Sequence, residues 1–164
     1  MMTYQTQEAY VQGFTGVKIF YRKFIAPEAK RTIIIVHGLG EHSGRYMNVV
    51  NFFKEKNTNF YLIDNRGHGK SEGPRGHILL FGHYLDDLRI FVEKVREEES
   101  EHDIFLLGHS MGGNIIANYL IQRDSFFTGA IFSAPAFRIA AKINPIKERL
   151  GKMMSNLLPG LTLP

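Results

Sequence analysis

Apolar residues recur along the chain in two alternating patterns. Residues 32–38, TIIIVHG, and 60–64, FYLID, are short apolar runs, the first ending in glycine, and so read as strands buried on both faces. DIFLLG (103–108) and GAIFSAP (129–135) repeat that pattern. Between them lie stretches with apolar groups at helical spacing: 45–56, the long amphipathic run 78–98, and MGGNIIANYLIQR (111–123). The leading stretch, YVQGFTGVKIFYRKFIAP, mixes aromatic and β-branched residues around Gly13 and Gly16 and predicts a β-hairpin. Strands alternating with helices predict an α/β fold with a mostly parallel sheet and crossover helices. From residue 138 the chain changes character, becoming more basic, with Met153 and Met154 and a proline-marked end.

Chemistry concentrates where the strand DIFLLG meets the helix that follows. Gly108-His109-Ser110-Met111-Gly112 matches G-x-S-x-G in strand–turn–helix context, the nucleophile elbow. Glycines flank the serine because side chains two positions away would collide with the neighbouring strand and helix. The helix starting at Met111 also turns unpaired N–H groups and its positive dipole end toward the serine. The bland alternative is a glycine-rich helix start carrying an incidental serine. A second motif, VHGLGEHSGRY (36–46), ends a strand in His-Gly-x-Gly and leaves backbone N–H groups free where the chain turns. Such donors bind the oxyanion of acyl transfer, and here they would be the backbone N–H groups of Leu39 and Met111. A turn that merely caps a helix is the competing reading.

DNRGHGKS (64–71) imitates a phosphate-binding loop by ending in Gly-Lys-Ser. Asp64 stands where that loop requires glycine, and EGPRG breaks the helix it requires. His37, His42, His68 and His77 sit on turns without ligand-like carboxylate pairing, so they read as solvated or loop-bracing and no metal is expected.

Composition narrows the classes further. The chain has 164 residues, 44% of them hydrophobic and 22% charged, which suits one soluble globular domain. Its 20 basic and 16 acidic residues are dispersed, so the net charge of +4 does not predict nucleic-acid binding. With no cysteine, disulfides and thiolate-bound zinc are excluded. The N-terminus lacks the charged and apolar regions of a secretory signal, and a cytoplasmic location is the expectation.

In HGLGEHSGRY, DNRGHGKSEGPRGH, LLGHSMGG and GAIFSAP, in that order, the chain resembles the α/β-hydrolase superfamily. It is most similar to the monoacylglycerol lipase and lysophospholipase group, filed with the S33 serine aminopeptidases. The resemblance is strong over 31–136 and weaker over the hairpin. It implies an α/β-hydrolase fold, mostly parallel with helices on both faces and truncated before the last strands. Residues 1–137 would be the N-terminal part of the core domain, and 138–164 the start of a cap. It further implies cofactor-free hydrolysis of lipid esters, with Ser110 as nucleophile and the Leu39 and Met111 N–H groups as the oxyanion hole. A non-catalytic binding module, a general esterase and an S33-type peptidase stay open as alternatives.

The sequence departs from the family in one respect. Family order is serine, acid, histidine, yet after Ser110 only Asp124 and Glu148 are acidic and no histidine follows. His109 is adjacent to Ser110 on a tight turn and makes a poor base; His37 and His68 are conceivable stand-ins on neighbouring loops. The expectation is that acid and base lie in a C-terminal half beyond Pro164, without which the chain is inactive. The tail 138–158 carries Ile139, Ile143, Ile146, Leu150, Met153, Met154, Leu157 and Leu158 on one broad apolar face. Such a face could line an acyl tunnel and touch a membrane surface, or pack against the core.

Overall fold

Strand β3 (Arg31–Val36), built from the apolar run 32–36, lies between β4 (Thr58–Ile63) and β5 (Asp103–His109) and pairs parallel with both. A strand with neighbours on both edges and helices over both faces has no solvent side, and Thr32 to Val36 are all buried. The computed structural model describes residues 4–53, 55–122 and 126–138, with 149, 151, 153 and 154. Of the expected cap segment, therefore, all but 138, 149, 151, 153 and 154 lies outside the described residues.

The sheet has six strands in the order β1-β2-β4-β3-β5-β6. The expected hairpin supplies β1 (Gln5–Gln12) and β2 (Lys18–Ile25), antiparallel to each other, and β2 is antiparallel to β4. Its turn is closed by the Gly13 N–H on the Val17 carbonyl at 2.8 Å. β1 begins five residues before the quoted pattern, because Gln5, Thr6, Gln7 and Glu8 face solvent and carry no apolar signal. At the other edge β6 (Gly129–Ser133) runs parallel to β5.

Alternate residues of the central strands face opposite layers. Ile34, Val36, Tyr61, Ile63 and Leu106 pack under α2 (Gly82–Glu98) and α3 (Met111–Gln122). Ile33, Ile35, Phe60 and Leu62 pack under α1 (Met47–Phe52). Helices thus cover both faces. α2 buries Leu85, Leu88, Phe91, Val92 and Val95 at helical spacing, each contributing roughly 1.5–3 kcal/mol.

Two helices are shorter than their apolar patterns. α1 ends at Phe52 because the chain must reverse into β4, which it does through Asn57 at φ 47°. Its expected first residues, 45 and 46, fall in a 3-10 turn (Ser43–Tyr46) instead, pinned where the Ser43 N–H meets Asp64 Oδ1 at 2.6 Å. α2 starts at Gly82 rather than at the apolar run 78–81, and Leu79 and Leu80 are exposed. Gly76, at φ 63°, bends the strap that precedes them.

A buried ion pair fixes the loop after β4. Arg66 donates Nε and Nη2 to the two carboxylate oxygens of Asp87 on α2, each at 2.8 Å, and both side chains are buried. The Phe14 N–H also donates to Asp87, and the Phe14 carbonyl accepts from Arg66 Nη2. Hairpin turn, loop and helix therefore meet at one carboxylate.

Candidate active site

Ser110 stands between the end of β5 and the first residue of α3, with φ at 50°. A serine pays strain for that left-handed conformation, and the surroundings hold it there. Its N–H donates to the Ser133 carbonyl on β6 at 3.0 Å, and its carbonyl accepts from Ala136 at 2.9 Å and from Asn114 at 3.2 Å. The flanking glycines follow from contact. A Cβ on Gly108 would lie 2.5 Å from the Gly112 carbonyl oxygen, and one on Gly112 would run into the Val36 carbonyl. The sharp turn thus depends on α3 lying directly against β3 and β5.

The His-Gly-x-Gly turn lies against the serine: a Cβ on Gly38 would stand 3.2 Å from Ser110 Cβ. Glu41 staples this turn. Its Oε2 accepts from the Gly38 N–H at 3.0 Å and from the Tyr46 hydroxyl at 2.8 Å, and Arg45 approaches Oε1 at 3.4 Å. Burial alone would raise the Glu41 carboxyl; the Gly38 N–H, the Tyr46 hydroxyl and Arg45 together hold it below the usual range. With the Gly38 N–H engaged, the Leu39 N–H has no acceptor among the described residues. Met111, first in α3, has no intrahelical acceptor for its own N–H. The structure thus brings Ser110 beside the turn that carries Leu39, with Met111 next to it in the chain. Glu41 belongs to the quoted motif, but the pattern did not disclose its stapling role.

The histidines divide by environment. His37 is buried, and burial pushes its ring down to about 4. The Gly38 carbonyl, 2.7 Å from Nδ1, can only accept, so Nδ1 carries the proton, and Nε2 accepts the Asn65 N–H at 2.9 Å. Both nitrogens are therefore occupied and cannot take a proton from Ser110. His68 donates Nδ1–H to the Arg66 carbonyl at 3.0 Å, its Nε2 is buried without a partner among the described residues, and its ring lies 5.3 Å from His37. His109 Nδ1 lies 3.0 Å from the Ser133 carbonyl oxygen, turned toward β6. None of these rings hydrogen-bonds Ser110. Asp124 and Glu148, the two acids that follow Ser110, lie outside the described residues.

In the loop that imitates a phosphate site, Lys70 and Ser71 form a turn rather than a helix start. Asp64 fills its centre, accepting from the Ser43 and Lys70 N–H groups. A cavity of about 290 Å³ lies beside the elbow, lined by Glu41, Arg45, Tyr46, Leu107, His109 and Ser133. A larger cavity, about 620 Å³, lies by Lys23, Tyr61, Glu98 and Glu99 near the start of β5. That is the opposite end of the strand from Ser110, so size does not mark the site here.

Residues 27–164 match the family described as serine aminopeptidase, S33. The chain is 30% identical over 150 residues to the monoacylglycerol lipase of Mycolicibacterium smegmatis, covering 91% of this chain and 54% of that protein. It is 32% identical to a probable lysophospholipase L2 of Haemophilus influenzae, covering 91% of this chain and 49% of that protein. The crystal structure of Paleococcus ferrophilus monoacylglycerol lipase superposes with a TM-score of 0.71 at 34% identity, over 88% of this chain and 54% of that one. The chain spans about half the length of these relatives. With its strand order, its layering and the turn that carries Ser110, the chain belongs to the serine aminopeptidase S33 family of α/β-hydrolases.

Proposed function

We propose that this chain carries the nucleophile and oxyanion donors of a serine hydrolase that cleaves carboxylic esters of lipids, of the monoacylglycerol lipase or lysophospholipase kind. One observation carries the reading: Ser110, held at φ 50° between β5 and α3, lies against the Gly38 turn. Ser110 Oγ attacks the ester carbonyl as its proton passes to a base. The oxyanion is received by the Leu39 and Met111 N–H groups, the alcohol leaves, and water then releases the acyl group from Ser110. None of the His37, His68 and His109 rings hydrogen-bonds Ser110, and His37 has both ring nitrogens occupied, so none of them serves as the base in this arrangement. On its own the chain turns over esters barely above background.

The test uses the chain together with the polypeptide that completes it. Ser110→Ala loses nearly all hydrolysis of a long-chain monoacylglycerol while its circular dichroism is unchanged; wild-type-like turnover would end the nucleophile assignment. The 164-residue chain alone labels slowly with a fluorophosphonate, at Ser110. Because the family description names aminopeptidases, aminoacyl amides are the competing substrate class, and cleavage of these faster than of long-chain monoesters overturns the lipid reading.

A further inference from the structure

Two peptide units flank Gly38, and three of their four polar groups are held. The His37 carbonyl accepts from Asn65 Nδ2 at 3.0 Å, and the Gly38 N–H donates to Glu41 Oε2 at 3.0 Å. The Gly38 carbonyl accepts from His37 Nδ1–H at 2.7 Å and, at 3.3 Å, from the Glu41 N–H. The fourth group is the Leu39 N–H, which has no acceptor among the described residues. It shares a planar trans peptide with the Gly38 carbonyl, so the two point in opposite directions. Whatever aims that carbonyl therefore aims the Leu39 N–H the other way.

The shorter of the two bonds on the carbonyl comes from His37, and only one tautomer of the ring can make it. The Asn65 N–H donates to Nε2 at 2.9 Å, so Nε2 offers its lone pair and the ring proton sits on Nδ1. Asn65 thus holds residue 37 twice, by its backbone on the ring and by its side chain on the carbonyl. His37 is buried, with its ring centroid 5.3 Å from that of His68. A Cβ on Gly38 would stand 3.2 Å from both Ser110 Cβ and Glu41 Oε2, so the position calls for glycine. Glycine restrains the peptide that follows it less than another residue would. The direction of the Leu39 N–H is consequently set from outside its own peptide, by a ring that the loop after β4 holds in turn.

We propose that His37 is a positioning residue for ester hydrolysis: its Nδ1–H, fixed there by Asn65, turns the Leu39 N–H toward the oxyanion formed at Ser110. The ring touches no substrate and takes no proton. Its effect is felt when charge develops on the substrate oxygen and not when substrate binds, so it belongs to kcat rather than to KM. The inference rests on the ester-hydrolase reading for the reaction it serves, whereas the tautomer and the donor direction are properties of the fold.

Two substitutions dissect the ring. Asparagine places an amide N–H near the position of Nδ1, and glutamine places its amide near that of Nε2. With the completing polypeptide present, His37→Asn keeps kcat for a long-chain monoester within about fivefold of the unsubstituted chain. His37→Gln, able to bond Asn65 but not Gly38, lowers kcat about 10²-fold at unchanged KM. The affinity of a long-chain trifluoromethyl ketone, whose adduct with Ser110 carries the oxyanion, falls by a similar factor in His37→Gln alone. Equal kcat values for the two variants overturn the proposal, since a ring that only filled space would be missed alike in both. So does a rise in KM in place of the fall in kcat. Nitrogen NMR of the unsubstituted chain needs no variant to fold: Nδ1 carries the proton and Nε2 does not, and the reverse tautomer overturns the proposal outright. Failure of the nucleophile assignment shows separately, as turnover by Ser110→Ala, whatever the two His37 variants do.

Discussion

The His37 ring and the Asn65 backbone fix one another: the Asn65 N–H donates to Nε2 at 2.9 Å while Nδ1–H is given to the Gly38 carbonyl at 2.7 Å. The pair joins the loop after β4 to the turn that lies against Ser110, and it works only with a neutral imidazole. Burial lowers the folded-state value of His37 from 6.5 to about 4. A depressed histidine binds its proton more readily when unfolded, so its contribution is complete above about pH 6.5 and is lost as pH falls toward about 4, roughly 3 kcal/mol in all. Glu98 acts in a lower window. Burial would raise it, but Lys23, Lys94 and Tyr61 hold it at about 2, so its contribution is lost from about 4.5 downward. Urea titrations between pH 7 and 4 are expected to show the histidine step and to lose it in His37→Gln. A pH-independent midpoint across that range would contradict the neutral, doubly bonded ring.

The Arg66–Asp87 pair is expected to behave as a buried ion pair broken from one side. Asp87→Ala leaves a buried guanidinium without its carboxylate, held only by the Phe14 carbonyl and the Thr15 hydroxyl, and strips the Phe14 N–H of its acceptor; it should cost about 3–5 kcal/mol. Asp103→Ala, which removes an exposed carboxylate, should cost less than about 1 kcal/mol. Equal denaturation midpoints for the two variants would show that the pair does not anchor the loop.

Glycines at the elbow and elsewhere should separate sharply on substitution. Gly112→Ala drives a Cβ into the Val36 carbonyl, a backbone atom that cannot swing away, and should cost at least about 3 kcal/mol. Gly82, first in α2, has open space around it, and alanine there should be neutral or stabilise by up to about 1 kcal/mol. Chemical denaturation of the two variants checks the contrast, which vanishes if α3 does not lie against β3.

The contrast also marks what could be read from residues alone. The central strands, the hairpin and the serine turn were legible because burial on two faces and crowding at a turn leave direct traces, in continuous apolar runs and in glycines. β1 began earlier than its apolar signal, since an edge strand such as Gln5–Glu8 is free to be polar. Ile78 to Phe81 continued the helical pattern of α2, yet solvent rather than core receives Leu79 and Leu80. Periodicity records which residues are apolar and not what covers them. The bracing by Asn65 and Asp87 was hidden because each bond joins residues on separate segments, His37 to Asn65 and Arg66 to Asp87, whereas Glu41 bonds Gly38 and Tyr46 within its own motif, where no residue pattern marks the staple.

β6 forms one edge of the six-stranded sheet. β6 pairs with β5 on one side, and no described residue pairs with its other side. Its residues alternate between the two sheet faces, yet Ile131 is 46% and Phe132 41% exposed, and Phe137 beyond them is 60% exposed. A parallel edge strand that is apolar on both faces and has unused N–H and C=O groups is a template for pairing with further chains. β1, at the opposite edge, carries Gln5, Gln7 and Glu8 in solvent and lacks that apolar character. Self-association should therefore run through β6, rising with concentration in multi-angle light scattering. Ile131→Lys, a charge placed on the edge strand and already partly in solvent, should reduce it while leaving the circular dichroism unchanged. Tyr10→Lys, exposed on β1, should not reduce it. The completing polypeptide, added separately, should suppress scattering and raise monoester hydrolysis together, because pairing with β6 would both cover the edge and bring the base to Ser110. A chain that stays monodisperse and hydrolyses monoesters fully without that polypeptide would mean that a base is already present, and His68, whose Nε2 has no partner among the described residues, would be the first residue to replace.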